Sequence, residues 1–324
     1  MIGILLSFIT AILTSAKDFF TKKTTKEAKE AQEKLEKKIT KAEKASTITD
    51  KEYILAWALP TFFLPFLYLL LFLDGILLNG ALLGGFPKLG KNFLPALIGE
   101  GPLMVVAVIF YVKALSKDDL SLVTPILCLT PIVILIIAPF TIKQTPTLIG
   151  LLGVLLTVIG TYTLKIKERS KGLLEPFKAL IQNKGVRCMF YTAMLWGITS
   201  IIDKVGVNNS SPLVWVISIN TFTSISIFLL IILRHKHNPK KIKKVFTDWK
   251  TLAQISACDS ISKITQMSAI NFIQVVYVNS IKRFSIVISV LIGALYFKEK
   301  GSKERISGAI ISIIGVILIG IGSL

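Results

Sequence analysis

The sequence predicts an all-α integral membrane protein in which ten transmembrane helices form two inverted five-helix repeats. Three observations support this prediction: a high apolar content, uncharged runs long enough to cross a bilayer, and a second half that repeats the first. Of the 324 residues, 52% are hydrophobic, and the mean hydropathy of the chain is +0.68. Apolar content concentrated in long runs is typical of a helical membrane protein.

Ten segments have the length and composition of bilayer spans. About 20 apolar residues form a helix that crosses the hydrocarbon core. Five uncharged runs reach this length, at 53–73, 120–142, 145–164, 210–233 and 306–324. Shorter or interrupted runs complete the set, at 2–16, 93–112, 188–202, 251–272 and 275–297. Each span should be helical, because lipid offers backbone groups no hydrogen-bond partners.

The formal net charge of +19 does not indicate nucleic acid. The Lys and Arg residues cluster between predicted spans, where cytoplasmic loops of membrane proteins carry them. Cys128, Cys188 and Cys258 lie inside spans without CxxC spacing, so we interpret them as buried side chains. His235 and His237 belong to a basic loop and do not predict a metal site. No catalytic motif or phosphate-binding loop occurs, so we expect no enzyme, cofactor or nucleic-acid partner.

The start of the chain recurs in its second half. Residues 10–20, TAILTSAKDFF, align with residues 195–205, LWGITSIIDKV. The alignment pairs Asp18 with Asp203 at an offset of 185 residues.

A longer match supports the same repeat. Residues 113–160 align without gaps with residues 268–315, at an offset of 155 residues. The two offsets differ by 30 residues, and the first half carries a charged block of that length at 21–50. Two five-helix halves with one insertion explain both offsets.

The repeat defines the predicted domain organisation. Because each half has an odd number of spans, the second half enters the membrane from the opposite side. We predict a first five-helix repeat at 1–165, a basic linker at 166–187 and a second repeat at 188–324. The insert at 21–50 is rich in Lys, Glu and Ala, with Glu and Lys four residues apart, so we expect a solvated charged helix.

Motifs shared by the two halves resemble those of a known family. The first half contains SLVTPILCLTP at 121–131, followed by a helix with Gly153 and Gly160. The second half contains IKRFS and YFKEK, followed by a helix with Gly308 and Gly315. This pattern resembles the EamA-like transporters of the drug/metabolite transporter superfamily, and only the charged insert falls outside it. The resemblance implies a ten-helix carrier of small organic molecules.

Charged residues inside predicted spans are the candidate site, since an ionisable group at membrane depth usually has a partner or a function. Lys282 and Arg283 lie about 11 Å inside a helix that begins near Val275. Their stems allow both charges to extend back to the interface, but we expect the pair to face a cavity and bind a negative group of the substrate. The pair also resembles the phosphate-gripping KR pair of plastid-type sugar-phosphate carriers.

The eighth span provides a further candidate. Lys263 and Asp259 are four residues apart on one helix face, so they predict an ion pair, with Lys263 as an additional substrate ligand. Tyr111 and Tyr277 are candidate aromatic ligands that stack on the substrate or anchor the helices at the interface.

Three further acidic residues are candidates for ion coupling. Asp18 and Asp203 correspond in the repeat, and Glu100 lies between two glycines in the third span. Symmetric carboxylates are suited to binding protons, although a packing role at a helix end explains them equally well.

These observations predict a secondary transporter that exports or exchanges small anionic or zwitterionic metabolites by alternating access. The alternatives are an efflux carrier for neutral or cationic drug-like molecules and a non-transporting membrane scaffold or receptor. The expected partners are the lipid bilayer and a small-molecule substrate, and the sequence does not decide between a monomer and a homodimer. The expected location is the cell membrane.

The orientation of the protein in the membrane follows from the positive charges of its loops. Odd-numbered loops hold 31 Lys and Arg residues, and even-numbered loops hold 4. The positive-inside rule then places odd loops in the cytoplasm and both termini outside.

Single cysteines at Ser46 and Asn79 test this orientation, because these residues lie in the first and second loops. In a background without native cysteines, an impermeant thiol reagent on intact cells should label position 79 and spare position 46. Labelling at position 46 alone would reverse the assignment.

Overall fold

The computed structural model describes most of the chain. The described residues are 1–35, 53, 55–76, 87–117, 123–165, 183–234, 249–288 and 302–323. Within these ranges every regular element is a helix.

Each of the ten predicted segments overlaps one of the described α-helices. These are α1 (Ile2–Leu35), α2 (Leu55–Ile76), α3 (Phe93–Lys117), α4 (Leu129–Thr141), α5 (Leu148–Lys165), α6 (Lys184–Asn208), α7 (Pro212–Arg234), α8 (Trp249–Ala269), α9 (Val275–Lys282) and α10 (Ser302–Gly322). A turn at 62–63 interrupts α2, and a 3₁₀ helix at Thr124–Cys128 leads into α4.

Four helices are long and apolar enough to cross a membrane: α2, α3, α6 and α7. Shorter apolar stretches lie in α1, α5 and α10 and in the segment that includes α4. Large apolar side chains such as Leu5, Phe72, Phe140 and Ile232 are exposed on the outside of the bundle. So much exposed apolar surface suits contact with lipid.

The first helix is longer than the span predicted at 2–16. It continues to Leu35, so half of the charged insert extends α1. Lys, Glu and Ala are strong helix formers, and Glu and Lys four residues apart stabilise an exposed helix. The rest of the insert lies outside the described residues.

The ninth segment begins at Val275, as predicted, but its helix ends at Lys282. A turn follows at 283–284, residues 285–288 are helical again, and the remainder of the predicted span lies outside the described residues. The side chains of Asn279 and Ser280 bond to carbonyls four residues earlier, a contact that often bends helices. The change at Arg283 falls 155 residues after Cys128, where the 3₁₀ helix ends.

The most extensive helix contacts join the first half of the chain to the second. They pair α5 with α10, α3 with α6, and α1 with α8. Fully buried side chains fill the spaces between helices, among them Trp215, Ile134, Met189, Ile255 and Ile319.

Glycines set the crossing of α5 and α10. A Cβ on Gly153 would lie 2.7 Å from the carbonyl oxygen of Gly315, and a Cβ on Gly160 would lie 2.7 Å from that of Gly308. Numbers rise along one helix as they fall along the other, so the two helices are antiparallel. Only glycine permits so close a backbone approach.

Gly315→Ala tests this packing. The new Cβ would lie 2.5 Å from the backbone nitrogen of Thr157 and 2.7 Å from the oxygen of Gly153, which are not free to move. We expect the free energy of unfolding to fall by about 1–3 kcal/mol, as in other overpacked sites.

The matched control is Gly320→Ala on the same helix, where the new Cβ would meet only Ile4 Cδ1 at 3.7 Å. Thermal unfolding in detergent should separate the two variants. Equal stability would mean that α5 and α10 can move apart without loss.

Candidate functional site

A cavity with about 850 Å³ of empty space, counting its opening to solvent, lies among α1, α2, α3, α6, α7, α8 and α9. Charged side chains from both halves of the chain line it. The cations are Lys17, Lys263, Lys282 and Arg283, and the acids are Asp203 and Asp259. With four cations and two carboxylates, the lining carries a formal charge of +2. A cavity of this kind attracts anions.

Asp259 binds two of the cations. Its carboxylate lies 2.8 Å from Lys263 Nζ, on the next turn of α8, and 3.4 Å from Lys17 Nζ on α1. Lys17 also lies 5.3 Å from the centre of the Tyr111 ring, a favourable cation–π distance. Lys263 Nζ donates to Asn220 Oδ1 at 3.0 Å. One carboxylate therefore holds lysines from two helices at the cavity wall.

Lys282 and Arg283 point to different helices. Lys282 Nζ donates to Gln266 Oε1 on α8 at 2.6 Å, and Arg283 Nη2 donates to Thr130 Oγ1 on α4 at 3.0 Å. Both acceptors are neutral, so neither contact cancels the charge of its donor. These hydrogen bonds position both cations at the cavity wall.

Two buried acids, Asp203 and Glu100, lie on helices that pack against each other, α6 and α3. Asp203 on α6 lines the cavity and accepts a hydrogen bond of 2.8 Å from Trp215 Nε1. Glu100 on α3 does not line the cavity, and 0% of its surface is exposed. No described N–H or O–H group donates to either oxygen of Glu100.

Hydrogen bonds between hydroxyl groups join α1 to α8 next to the cavity, and we call this set of contacts the hydroxyl seam. Thr10 Oγ1 lies 2.8 Å from Thr265 Oγ1, and Thr14 Oγ1 lies 2.9 Å from Ser262 Oγ. The seam ends at Asp259, so α1 and α8 present a polar surface to each other up to the cavity.

Tyr111 and Tyr277 have different surroundings. Tyr111 lines the cavity, and its ring lies 5.1 Å from that of Trp196. Tyr277 lies outside the cavity lining, and its hydroxyl accepts a hydrogen bond of 3.1 Å from the backbone of Thr147. We therefore reinterpret Tyr277 as a contact between α9 and the α4–α5 turn.

That contact belongs to a larger set, which we call the closed end. Gln144 Oε1 accepts from Val275 N at 3.1 Å, and Gln274 Nε2 donates to the Thr145 oxygen at 3.0 Å. These bonds join the α4–α5 turn to the start of α9.

Two further bonds complete the closed end. Gly90 N, just before α3, donates to the oxygen of Asn209, after α6, at 2.9 Å. Lys204 donates to the oxygen of Ile270. All of these segments belong to even-numbered loops or the adjoining helix ends.

The structure thus brings together most of the sequence-predicted candidates. Those lining the cavity are Lys263, Lys282, Arg283, Tyr111, Asp203 and Asp259. Glu100 is fully buried and does not line it. Asp18 lies on α1 at a position where the side chain is not described.

Sequence reasoning missed Lys17, which we assigned to the first loop. The structure places it inside the bundle, 7% exposed, at the cavity wall. A signal was available, because Thr10, Thr14 and Lys17 share one face of α1 by their spacing. Trp196, Trp215, Gln266 and Asn279 also line the cavity, and their uncharged side chains gave no signal in the sequence.

In the part of the chain that the structure describes, no three His, Cys, Asp or Glu side chains come together. His235 and His237 lie outside that part. Cys128, Cys188 and Cys258, all within the described residues, form no disulfide.

The helical fold, its apolar exterior and its charged interior cavity define a multi-pass integral membrane protein. Residues 183–321 match the model of the EamA-like transporter family. The match confirms, for this part of the chain, the resemblance to EamA-like transporters found in the sequence.

A likeness of fold to a solved structure covers the whole chain. A solved structure titled "Crystal structure of protein" covers 99% of this chain and 96% of its own, with a TM-score of 0.63 and 14% sequence identity. At that identity the likeness shows the fold alone. No curated protein matches the sequence.

Asp259→Asn tests the ion-pair arrangement. The change removes the carboxylate that holds Lys17 and Lys263, and removing one partner of a buried pair costs about 3–5 kcal/mol. Lys263→Gln should cost less, because the Lys17–Asp259 contact remains. Thermal unfolding measures both, and sulfate at constant ionic strength should restore stability to D259N more than to K263Q. A D259N variant as stable as K263Q would contradict the arrangement.

Proposed function

We propose that the protein is a secondary transporter that exports or exchanges an anionic or zwitterionic metabolite. The observation that supports this proposal is the buried cavity with four cations and two carboxylates. Charges at membrane depth are costly unless they serve a pathway or a ligand. An anionic substrate would balance the excess positive charge of the cavity.

We further propose alternating access between two inverted repeats, 1–165 and 188–324, joined by the linker at 166–187. The helix pairs support this arrangement. Exchanging the halves converts the α1–α8 contact into the α6–α3 contact, and both are extensive. In the antiparallel α5–α10 crossing, Gly153 approaches Gly315 and Gly160 approaches Gly308. Exchanging the halves leaves this set of contacts unchanged as well. Ten transmembrane helices and opposite insertion of the halves would produce such an arrangement.

Lys282 and Arg283 have complementary roles in the proposed binding step. Arg offers two parallel N–H groups to a carboxylate or phosphate, whereas Lys acts as a movable point charge. Lys263 and Lys17 are held by Asp259 and supply further positive charge from the facing wall. Tyr111 and Trp196 provide aromatic surface for the rest of the substrate, and Asp203 suits the ammonium group of a zwitterion.

The proposed orientation assigns a side to the closed end. With odd-numbered loops in the cytoplasm, the contacts of Gln144, Tyr277 and Asn209 face the outside. The cavity would then be closed toward the outside in this structure. The opposite end is formed by odd-numbered loops, which lie largely outside the described residues.

A thermal-stability screen of the purified protein tests the function. A ligand that binds only the folded protein raises its melting temperature. We expect shifts from carboxylates, phosphorylated sugars or amino acids. Shifts from cationic drug-like compounds alone would favour the efflux alternative, which Asp203 and the aromatic wall could support. A screen without any shift would count against transport and favour the scaffold alternative.

Lys282→Gln and Arg283→Gln should each reduce transport of the compound found by the screen about tenfold or more. A hydrogen bond to a charged group is worth about 1.5–3 kcal/mol, and 1.4 kcal/mol is about a factor of ten. Uptake into proteoliposomes measures the effect. Gln keeps a donor for Gln266 or Thr130, so both variants should fold.

The control is Lys91→Gln, which removes an exposed cation from the segment before α3. It should transport like the wild type. Wild-type transport by both K282Q and R283Q would show that the pair only extends its charges to the interface.

A further inference from the structure

Corresponding positions of the two halves carry unlike side chains at the cavity. At the repeat offset of 155 residues, α3 corresponds to α8, and both helices line the cavity. Three positions of α3 and the three corresponding positions of α8 all contribute to the lining: Met104, Val108 and Tyr111 on α3, and Asp259, Lys263 and Gln266 on α8. The cavity is therefore apolar or aromatic along α3 and charged or polar along α8.

The α3 residues form a continuous surface. Residues 104, 108 and 111 follow one another at steps of four and three, which is the spacing of one helix face. They extend over about 10 Å of helix, and all three side chains are buried. The ring of Trp196 on α6 lies 5.1 Å from the Tyr111 ring and also lines the cavity. We call Met104, Val108, Tyr111 and Trp196 the apolar wall.

The apolar wall borders the same space as the charged side chains. Lys17 Nζ lies 3.4 Å from the carboxylate of Asp259 on α8 and 5.3 Å from the centre of the Tyr111 ring on α3. A single side chain thus reaches from the charged helix to the apolar wall. One small molecule in the cavity can therefore touch both.

We propose that the substrate is an amphipathic anion, in which a carboxylate head is joined to a hydrocarbon or aryl body. This inference rests on the proposed function and narrows its substrate class. The head binds the cations of α8 and α9, which are Lys263, Lys282 and Arg283. The body packs against the apolar wall and excludes water from it.

The same wall disfavours anions with a polar body. Hydroxyl groups of a sugar-like body would lose their water beside Met104 and Val108 and find no hydrogen-bond partner on those side chains, which costs binding free energy. Each methylene group placed there is instead removed from water at a gain. Two anions of equal charge should therefore differ in affinity according to the polarity of the rest of the molecule.

Hexanoate and gluconate test the inference, because both are six-carbon monocarboxylates and only gluconate carries hydroxyl groups along its body. Thermal unfolding of the purified full-length protein at increasing ligand concentration measures binding. We expect hexanoate to raise the melting temperature far more than gluconate does. Along the series acetate, butyrate and hexanoate, the Kd should fall about fourfold for each added methylene group. Hexanol has the body without the head and should give little shift.

Val108→Thr tests the apolar wall itself. Thr has nearly the volume of Val, and its hydroxyl can bond to the carbonyl four residues earlier, so the variant should fold. Hexanoate should bind it about fivefold or more weakly than the wild type, whereas acetate, which is too short to cover the wall, should bind both alike. The matched control is Val106→Thr, the same change at an exposed position of the same helix outside the cavity lining. It should bind hexanoate like the wild type.

Three outcomes would overturn the inference while leaving the proposed function in place. They are a shift from gluconate as large as that from hexanoate, an equal shift from hexanol, and unchanged hexanoate binding by V108T. A protein whose melting temperature responds to no anion, either in this series or in the broader screen, would instead count against the proposed function itself.

Discussion

The carboxylate of Asp259 is the contact on which the charged interior depends. It faces Lys263 on its own helix and Lys17 on α1, and so allows two lysines to be buried where neither would be stable alone. The same contact ties the first helix of the chain to the eighth at the level of the cavity. It lies where the hydroxyl contacts of Thr10 and Thr14 with α8 end. The other two cations, Lys282 and Arg283, each donate a hydrogen bond to a neutral side chain.

Packing elsewhere in the bundle separates a close-packed side from a polar side. The α5–α10 crossing is set by backbone contacts at Gly153 and Gly315, and it contributes no residue to the cavity lining. The helices that do line the cavity meet through hydroxyls, amides and charges. A crossing fixed by close backbone contacts has few alternative arrangements, whereas polar contacts can be exchanged for others of similar energy. The motion that the proposed alternating access requires would therefore be located among the helices that line the cavity.

Sequence reasoning found the parts of the site that carry charge inside a span. Lys263, Lys282 and Arg283 were visible because charge is rare at that depth, and the helical period placed Asp259 beside Lys263. Lys17 was missed because it stands where an apolar run becomes a charged one, and composition alone cannot tell the last residue of a span from the first of a loop. The sequence makes Tyr277 a candidate substrate ligand, because an aromatic side chain near charges suits both stacking on a substrate and anchoring at the interface. The end of α9 at Lys282 depends on side-chain bonds to carbonyls, which no periodicity reveals.

The contacts between the α4–α5 turn and α9 have a further consequence for the electrical behaviour of the transporter. Gln144, Gln274, Tyr277 and Thr147 are all neutral, and water can replace each of their hydrogen bonds at little net cost. Separating these segments would move no formal charge through the membrane field. A charge that crosses the field changes in energy by about 2.3 kcal/mol per 100 mV, so this part of the closed end would open equally readily at any membrane voltage. Dependence on voltage would then arise from the lysines, arginine and carboxyl groups of the cavity and from the substrate they hold.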